Sequence, residues 1–276
     1  MEQKTNKILN LKDDIIFKVF FSRKGNEEFL IDFLKALLKI DIKEIKIQEE
    51  VNLEKLSKKE KGGRLDLQAR LDNGTIVNIE MQLRNEHNIE ERTTYYSSKV
   101  ISRETQRGTN YKDIKQVIMI NILDYEMLGF DEYISETAVV LDKHREYEVL
   151  KGIKWYFIEL PKFRKQHPDM NEKINQWLAF IDDYDRGLIK MAEEKNETLK
   201  KARLQISYLT GDEEVKRMQW LEEKWEMDRA SEVAYAKEEG KKELVKEMLK
   251  EKIDIETICK VSKLTKEEIE KIADTM

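Results

Sequence analysis

Apolar residues recur at helical spacing over residues 10–39 and predict two short helices. The apolar positions are Leu11, Ile15, Phe17, Val19 and Phe20 in the first helix, and Phe29, Ile31, Phe33, Leu34 and Leu37 in the second. The polar segment SRKGNEE separates the two helices. The next segment, IKEIKIQEEV, alternates apolar and charged residues imperfectly and predicts a strand.

The most regular alternation lies in the segment GGRLDLQARLDNGTIVNIEMQ, which runs from Gly62 to Gln82. Every second residue is apolar in two runs, so each predicted strand has one apolar face and one polar face. The apolar faces comprise Leu65, Leu67, Ala69 and Leu71 in the first strand, and Val77, Ile79, Met81 and Leu83 in the second. The polar face of the second strand presents Asn78, Glu80 and Gln82. This pattern predicts a β-hairpin with one shared apolar face.

The sequence DNG between the two runs predicts the register of this hairpin. A loop of three residues that ends at Gly74, with that glycine in the left-handed conformation, places Asp66 opposite Glu80. A loop of two residues instead places Asp66 opposite Met81, beside the apolar face. The three-residue loop is therefore the consistent prediction.

The remainder of the first 165 residues predicts one long helix and three strands. The helix runs from Asn88 to Arg107 and ends before Gly108. The compact apolar run KQVIMINIL predicts a buried central strand, while YISETAVVL and IKWYFIELP predict further strands, the last of them stopped by Pro161. This order of helices and strands is typical of a mixed α/β protein.

After about Lys162 only helical patterns remain, and Glu and Lys dominate the composition. The final segment predicts two short helices, the first capped by Asp254 and the second opened by a capping box of Thr265 and Glu268. We therefore predict two domains, residues 1–165 and a charged helical extension over residues 166–276. The last helix, KEEIEKIA, presents Glu where a base-reading helix carries basic or amide residues. A role in packing or homo-oligomerisation is expected for this tail.

Composition narrows the class of protein further. The chain has 276 residues, 40% hydrophobic and 39% charged, which is enough for one sizeable core plus extensions. The formal net charge of −5 argues against a polycation but permits a locally basic cleft. The single cysteine, Cys259, excludes an intramolecular disulfide, and a reducing cytoplasm is the expected location. The longest apolar runs are too short to span a bilayer, so no membrane contact is predicted.

The predicted opposition of Asp66 and Glu80 requires compensation, because two facing carboxylates repel each other. A divalent cation provides it, since Mg²⁺ binds one or two carboxylates together with water and phosphate oxygens. A second interpretation is that the polar face is solvated and that Arg64 and Arg70 neutralise the acids. The hairpin pattern leaves both alternatives open.

Four ordered motifs resemble a known family. The segment from Gly62 to Gln82 resembles the core of PD-(D/E)xK nucleases, in which an Asp, a hairpin and an acid-x-Lys or acid-x-Gln follow one another. The segments DIIFKVFF, ERTTYYSSKVISRETQRGTNY and IELPKF resemble further motifs of the Rpn family, the recombination-promoting nucleases and transposases of bacteria. The resemblance covers residues 10–165 and implies an α/β, restriction-endonuclease-like core, with a central mixed sheet flanked by helices and an all-helical C-terminal extension.

The resemblance also implies a function, namely metal-dependent endonucleolytic cleavage of DNA linked to recombination or mobile DNA. By position, Asp66 and Glu80 would bind Mg²⁺, or Mn²⁺ in its place, and the backbone carbonyl of Met81 would complete the site. Asp14 matches the N-terminal acid of the family and would approach the metal from its helix. Gln82 stands where most relatives carry Lys, and an amide can orient water but carries no positive charge.

Positive charge lies instead on the helix after the hairpin, at Arg92, Lys99, Arg103 and Arg107. At helical spacing these residues fall within about 80° of one another. They are expected to contact phosphates that flank the cleavage point, or else to form a solvated face paired with Glu91 and Glu104. Tyr95 and Tyr96 of the same helix are expected to pack in the core or at a hinge rather than to stack on bases.

Two other functions stay open at this stage. One is a non-catalytic DNA-binding or regulatory scaffold that kept the fold after losing the Lys. The other is a nuclease directed at RNA, because nothing in the sequence distinguishes the 2′-hydroxyl.

Overall fold

The computed structural model describes residues 10–48, 67–105, 110–209 and 212–273. The α-helices are α1 (Asp14–Ser22), α2 (Glu27–Leu38), α3 (Ile89–Glu104), α4 (Leu160–Lys165), α5 (Lys173–Asp182), α6 (Arg186–Lys195), α7 (Glu197–Leu209), α8 (Glu213–Lys250), α9 (Ile255–Ser262) and α10 (Lys266–Ala273). The strands are β1 (Ile45–Gln48), β2 (Leu67–Leu71), β3 (Ile76–Gln82), β4 (Val117–Leu123), β5 (Ile134–Glu136), β6 (Val139–Leu141), β7 (His144–Leu150) and β8 (Ile153–Glu159).

Six strands form a mixed sheet in the order β1-β2-β3-β4-β8-β5. The pairs β3–β4 and β4–β8 are parallel, while β1–β2, β2–β3 and β5–β8 are antiparallel. The fully buried β4 lies inside the sheet, as its compact and mostly apolar run predicts. The predicted α/β class, a central mixed sheet flanked by helices, is confirmed.

The hairpin of β2 and β3 has the predicted three-residue loop. Leu71 N donates to Thr75 O at 2.8 Å, Gly74 N donates to Leu71 O at 2.9 Å, and Leu67 pairs with Ile79. Gly74 has φ of 87°, the left-handed conformation that a residue without Cβ adopts at little cost. The register is therefore decided by the local chemistry of the loop.

Three elements differ from the sequence prediction. The segment YISETAVVL was predicted as one strand, but it divides into β5, which pairs with β8 in the main sheet, and β6, which pairs with β7 in a separate hairpin. Strand β7 was not predicted, because its residues are mostly exposed and lack an apolar face. Helix α3 ends at Glu104 rather than Arg107, since Thr105 has an extended backbone.

Each face of the main sheet packs against helices. Apolar residues of β2, β3 and β4 that point to one face join a buried cluster with residues of α1, α2, α5, α6 and α7. The opposite face packs against α3, where Ile76, Val117 and Met119 contact Tyr96, Val100 and Ile101. Strands β3 and β4 are consequently buried on both faces.

The compact units of the structure do not divide after residue 165, where the sequence predicts a domain boundary. The chain divides into compact units of residues Met1–Val215 and Lys216–Met276. Trp177 of α5 is fully buried and contacts the rings of Phe21 and Phe33. The abundance of Glu and Lys after residue 165 concealed the buried faces of α5, α6 and α7, which complete the first core.

Asp32 of α2 reinforces this junction within the first unit. Its carboxylate accepts hydrogen bonds from the Trp177 indole at 3.0 Å, from Lys173 at 3.0 Å and from the Asn196 amide at 3.3 Å. Burial acts to raise the pKa of Asp32, but these hydrogen bonds outweigh it and hold the pKa below its usual value. The charged Asp32 carboxylate thus connects α2 to α5 and to the residue that precedes α7.

We expect Trp177→Ala to lower the free energy of unfolding of the first unit by about 3–5 kcal/mol, because it creates a cavity and removes a hydrogen bond to Asp32. Chemical denaturation measures this loss. Trp220→Ala is the matched control, since Trp220 is 59% exposed and its removal should leave stability nearly unchanged. Equal effects of the two variants would contradict the assignment of α5 to the first core.

The second unit has its own small core, formed by Val245, Ile258, Ile269 and Ile272. The predicted caps are confirmed: Thr257 N donates to Asp254 at 2.9 Å, while Thr265 and Glu268 form the reciprocal capping box. Packing among the tail helices is therefore observed, and homo-oligomerisation through them stays a prediction. In the part of the chain that the structure describes, no helix is both long and apolar enough to cross a membrane.

Candidate active site

The polar face of β3 is buried. Asn78, Glu80 and Gln82 have exposed fractions of 3%, 3% and 2%. Helix α3 covers this face of the sheet, with Ile89 at its first turn packed near Leu123 and other residues of the sheet. For β3, the interpretation as a solvated polar face is wrong, and a buried carboxylate needs hydrogen bonds or a cation to offset its desolvation.

The two carboxylate oxygens of Glu80 differ in their contacts. Oε2 accepts a hydrogen bond from Nε2 of Gln82 at 3.0 Å and from Nη2 of Arg92 at 3.3 Å. Oε1 is buried and has no hydrogen-bond partner within the described residues. Glu80 thus keeps one oxygen with unused acceptor capacity in a low-dielectric setting.

The amide of Gln82 is held at both ends. Its Nε2 donates to Glu80, and its Oε1 accepts a hydrogen bond from the hydroxyl of Tyr125 at 3.3 Å. Tyr125 lies in the loop after β4, which Glu159 anchors by accepting hydrogen bonds from the backbone N–H groups of Met127 and Leu128. The orientation of Gln82 therefore depends on a loop more than forty residues away in sequence.

Lys162 completes the anchor of this loop. It is buried, donates to Glu159 at 2.7 Å and donates to the carbonyl of Leu128 at 2.9 Å. Glu159 and Lys162 are the charged residues of the IELPKF motif, so this motif supports the loop that carries Tyr125. Sequence reasoning gave no individual role to Tyr125, Glu159 or Lys162. The available signals were the resemblance of IELPKF to a family motif and, within it, a Glu and a Lys three residues apart in a mostly apolar segment.

A model of the PD-(D/E)XK nuclease family transposases matches residues 11–236. The chain belongs to this family. The match includes the hairpin, α3 and the motif with Glu159, and it confirms the resemblance found in the sequence. Searches of curated proteins and of solved structures gave no significant match.

Of the acids that the family resemblance implies, Glu80 is the one whose side chain the structure describes. Asp66 lies outside the described residues, and so does the side chain of Asp14, the first residue of α1. The side chain of Met81 is buried in the main core on the opposite face of the sheet from Glu80. Among the described residues, no three His, Cys, Asp or Glu side chains converge on one point. The proposed roles of Asp66, Asp14 and the Met81 carbonyl stay predictions.

The donor chemistry at Glu80 nevertheless fits the divalent cation that the family implies. Oε1 is a hard anionic oxygen, the ligand type that Mg²⁺ and Mn²⁺ prefer. It is buried and unpartnered among the described residues, while Oε2 already has two donors. A cation at Oε1 would supply the missing partner and would leave the contacts of Gln82 and Arg92 with Oε2 in place.

The basic residues of α3 are placed in two different ways. The side chain of Arg92 turns inward, where its guanidinium binds Glu80. The same guanidinium lies 3.9 Å from a carboxylate oxygen of Glu86. Lys99 and Arg103 are exposed, and Arg107 lies outside the described residues. The predicted basic face is thus reduced to Lys99 and Arg103 in the described structure. Arg92 belongs to the carboxylate site instead.

The acids proposed as partners of this basic face have separate placements. Glu104 forms an ion pair with Arg70 of β2, and Glu91 is exposed at the start of α3. Arg70 itself was a candidate to neutralise the hairpin acids, but its guanidinium binds Glu104 and reaches the carbonyl of Gly74 at 3.4 Å. Among the described contacts, the charge next to Glu80 is that of Arg92.

A second ionic cluster lies directly after β4. Asp124 N donates to Gln82 O at 2.9 Å, and the Asp124 carboxylate binds Lys12 and Arg164. The pKa of Arg164 is raised, chiefly by its hydrogen bond to Asp182, so this guanidinium stays charged. The cluster is an internally compensated set of charges that fixes the ends of β3 and β4.

Proposed function

We propose that this protein is a metal-dependent endonuclease that hydrolyses phosphodiester bonds in DNA, with Glu80 as a metal ligand. The observation that carries the proposal is the buried Glu80 carboxylate, whose Oε1 has no hydrogen-bond partner among the described residues. Membership in a family of nuclease transposases supports the reaction class and a role in recombination or mobile DNA. A buried acceptor without a partner is costly unless a ligand completes it.

Glu80 and Asp66 would hold Mg²⁺ or Mn²⁺, with the Met81 carbonyl as a further ligand and Asp14 near them. When bound, a divalent cation neutralises charge on the scissile phosphate and lowers the pKa of a coordinated water. The register of β2 and β3 supports this ligand set, because it is the register that predicts Asp66 opposite Glu80.

Gln82 would orient the attacking water. Its amide is fixed by Glu80 and Tyr125, and a fixed amide can accept from or donate to a water without a change of charge. Positioning of this kind contributes to catalysis by reducing the freedom of the reacting groups.

Arg92 would supply the positive charge that Lys provides at position 82 in most relatives. Its Nη2 is 3.3 Å from Glu80, and its Nε is buried without an acceptor among the described residues. An unused N–H donor on a permanently charged group suits a phosphate oxygen, whose negative charge it would stabilise. Lys99 and Arg103, with Arg107, would contact phosphates beyond the cleavage point.

One observation favours a second function, a non-catalytic DNA-binding scaffold. The ion pair between Glu80 and Arg92, together with the Gln82 amide, partly compensates the buried carboxylate without a cation. In a scaffold, these contacts would serve stability alone. The two functions differ in whether divalent cations bind and whether DNA is cut.

The experiment that tests the proposal is cleavage of supercoiled plasmid by the purified protein with Mg²⁺ and, separately, with Mn²⁺. We expect nicked or linear DNA from the wild type, no cleavage in a chelator, and at least about 100-fold slower cleavage by Asp66→Ala, because the variant lacks a metal ligand. Absence of cleavage with either cation would support the scaffold, provided that a parallel RNA substrate is also left intact. Cleavage of RNA alone would replace DNA as the substrate.

A further inference from the structure

Two adjacent tyrosines of α3 occupy different environments. Tyr95 has an exposed fraction of 62%, whereas Tyr96 is half-buried and contacts the cluster under α3. Their rings meet edge to face with centroids 5.4 Å apart. Of the two expected placements, in the core or at a hinge, the core is excluded for Tyr95 by this exposure.

Each tyrosine has a cation over its ring from a residue one helical turn away, which follows Tyr95 by four positions and precedes Tyr96 by four. Lys99 Nζ is 5.9 Å from the centroid of Tyr95, and the Arg92 guanidinium is 5.5 Å from the centroid of Tyr96. At 3.6 residues per turn, the four side chains fall within about 100° of the helix circumference. They form one surface, here called the Tyr95 surface and defined by Arg92, Tyr95, Tyr96 and Lys99.

The Tyr95 surface is joined to the carboxylate site by direct contacts. Arg92 binds Glu80 at 3.3 Å, and its guanidinium also forms the cation–π contact with the Tyr96 ring. The Tyr96 ring in turn contacts the Tyr95 ring. An exposed aromatic ring flanked by cations is the arrangement that binds single-stranded nucleic acid, since the ring stacks on a base while the cation binds phosphate. A base inside a duplex has neighbours on both faces and offers no free face to the ring.

We infer that Tyr95 is a stacking site for an unpaired nucleobase of a DNA strand whose phosphate backbone runs along α3 toward Glu80. This inference rests on the proposed function for the identity of the ligand. Lys99 binds a phosphate of the same strand, and Tyr96 supports the Tyr95 ring from the side. The surface thus selects DNA with a single-stranded segment, such as a flap, gap or end, over continuous duplex.

The test is equilibrium binding of a fluorescent single-stranded oligodeoxynucleotide and of the matching duplex, measured by anisotropy in a chelator so that no cleavage occurs. We expect Tyr95→Ala to weaken single-strand binding by about 5- to 100-fold and duplex binding by less than about twofold. Tyr95→Phe keeps the ring and should retain nearly full single-strand binding. Tyr208→Ala is the matched control, because Tyr208 is a helical tyrosine with an exposed fraction of 69% on α7.

Several results would overturn the inference. Unchanged single-strand binding by Tyr95→Ala would exclude stacking at this ring, and an equal loss for duplex and single strand would indicate only general attraction to phosphate. Preferential, Tyr95-dependent binding of a matched oligoribonucleotide would overturn the choice of DNA. Melting temperatures of all variants should match the wild type, since the substituted rings are exposed.

Failure of this inference is separable from failure of the proposed function, because binding is measured without a metal and cleavage with one. If the wild type cuts plasmid and the Tyr95→Ala variant binds single strands as tightly as the wild type, the stacking site is absent and the nuclease activity stands. A protein with Tyr95-dependent binding and no cleavage would keep the stacking site and lose the proposed function.

Discussion

Glu80→Gln is expected to reduce metal-dependent cleavage of plasmid DNA by at least about 100-fold. Substitution of a residue that merely supports a metal ligand already lowers metal affinity or activity by about 10- to 100-fold, and Glu80 is proposed as a ligand itself. The variant replaces an anionic oxygen by an amide in the same volume, so the packing between β3 and α3 is kept. Initial rates of nicking in Mg²⁺ and in Mn²⁺ measure the effect. Wild-type rates in Glu80→Gln would contradict the assignment of Glu80 as a metal ligand.

Thermal melting gives a second readout for Glu80 that does not depend on the DNA substrate. A cation that binds the folded protein raises its melting temperature, so Mg²⁺ or Mn²⁺ should stabilise the wild type and leave Glu80→Gln unchanged. Glu90→Gln is the matched control, because Glu90 is exposed in the first turn of the adjacent helix α3. It should retain both the cation response and the cleavage rate.

Arg92→Ala is expected to lower the free energy of unfolding by about 3 kcal/mol, because it leaves the buried Glu80 carboxylate without its charged partner. Cleavage should also fall, since Arg92 is proposed to stabilise charge on the phosphate. Denaturant unfolding measures the first effect, and plasmid nicking at a temperature where the variant is fully folded measures the second. Lys99→Ala is the control for stability and should change it by less than about 0.5 kcal/mol.

Two further variants separate the roles of Arg92. Arg92→Lys keeps the charge but not the planar fork, so it should recover part of the stability and less of the cleavage rate. In the double variant Glu80→Gln with Arg92→Ala, the stability losses should be smaller than the sum of the two single losses, because the pair is removed together. Strict additivity would show that the two residues do not interact. A stability effect of Arg92→Ala in a protein that never cleaves would favour the scaffold.

Sequence reasoning located the strand that carries Glu80 because its signals are local. The DNG loop specifies both the turn and the register, and the structure confirms them through Gly74 and the pairing of Leu67 with Ile79. The same holds for the caps at Asp254 and Thr265, where donor and acceptor are three residues apart. Local rules of this kind operate within a few residues and do not require knowledge of the fold.

Contacts distant in sequence were beyond that reasoning. Tyr125 reaches Gln82 across 43 residues, and Asp32 reaches Trp177 across 145. Neither pair has a sequence spacing that reveals the contact, and the second pair joins α2 to a helix that lies beyond the predicted domain boundary. Helices rich in Glu and Lys can bury one apolar stripe completely, and composition averages that stripe with the exposed residues around it.

By itself the sequence determined the α/β class, the hairpin and its register, the polar face that carries Glu80 and Gln82, and the family. Alternation states which residues share a face, but it does not state whether anything covers that face. The tertiary structure decided that α3 buries Glu80, that Arg92 binds this carboxylate instead of joining the outer basic face, and that Tyr95 stays exposed. These outcomes follow from the packing of α3 on the sheet, because its rotation determines which side chains turn inward and which meet solvent.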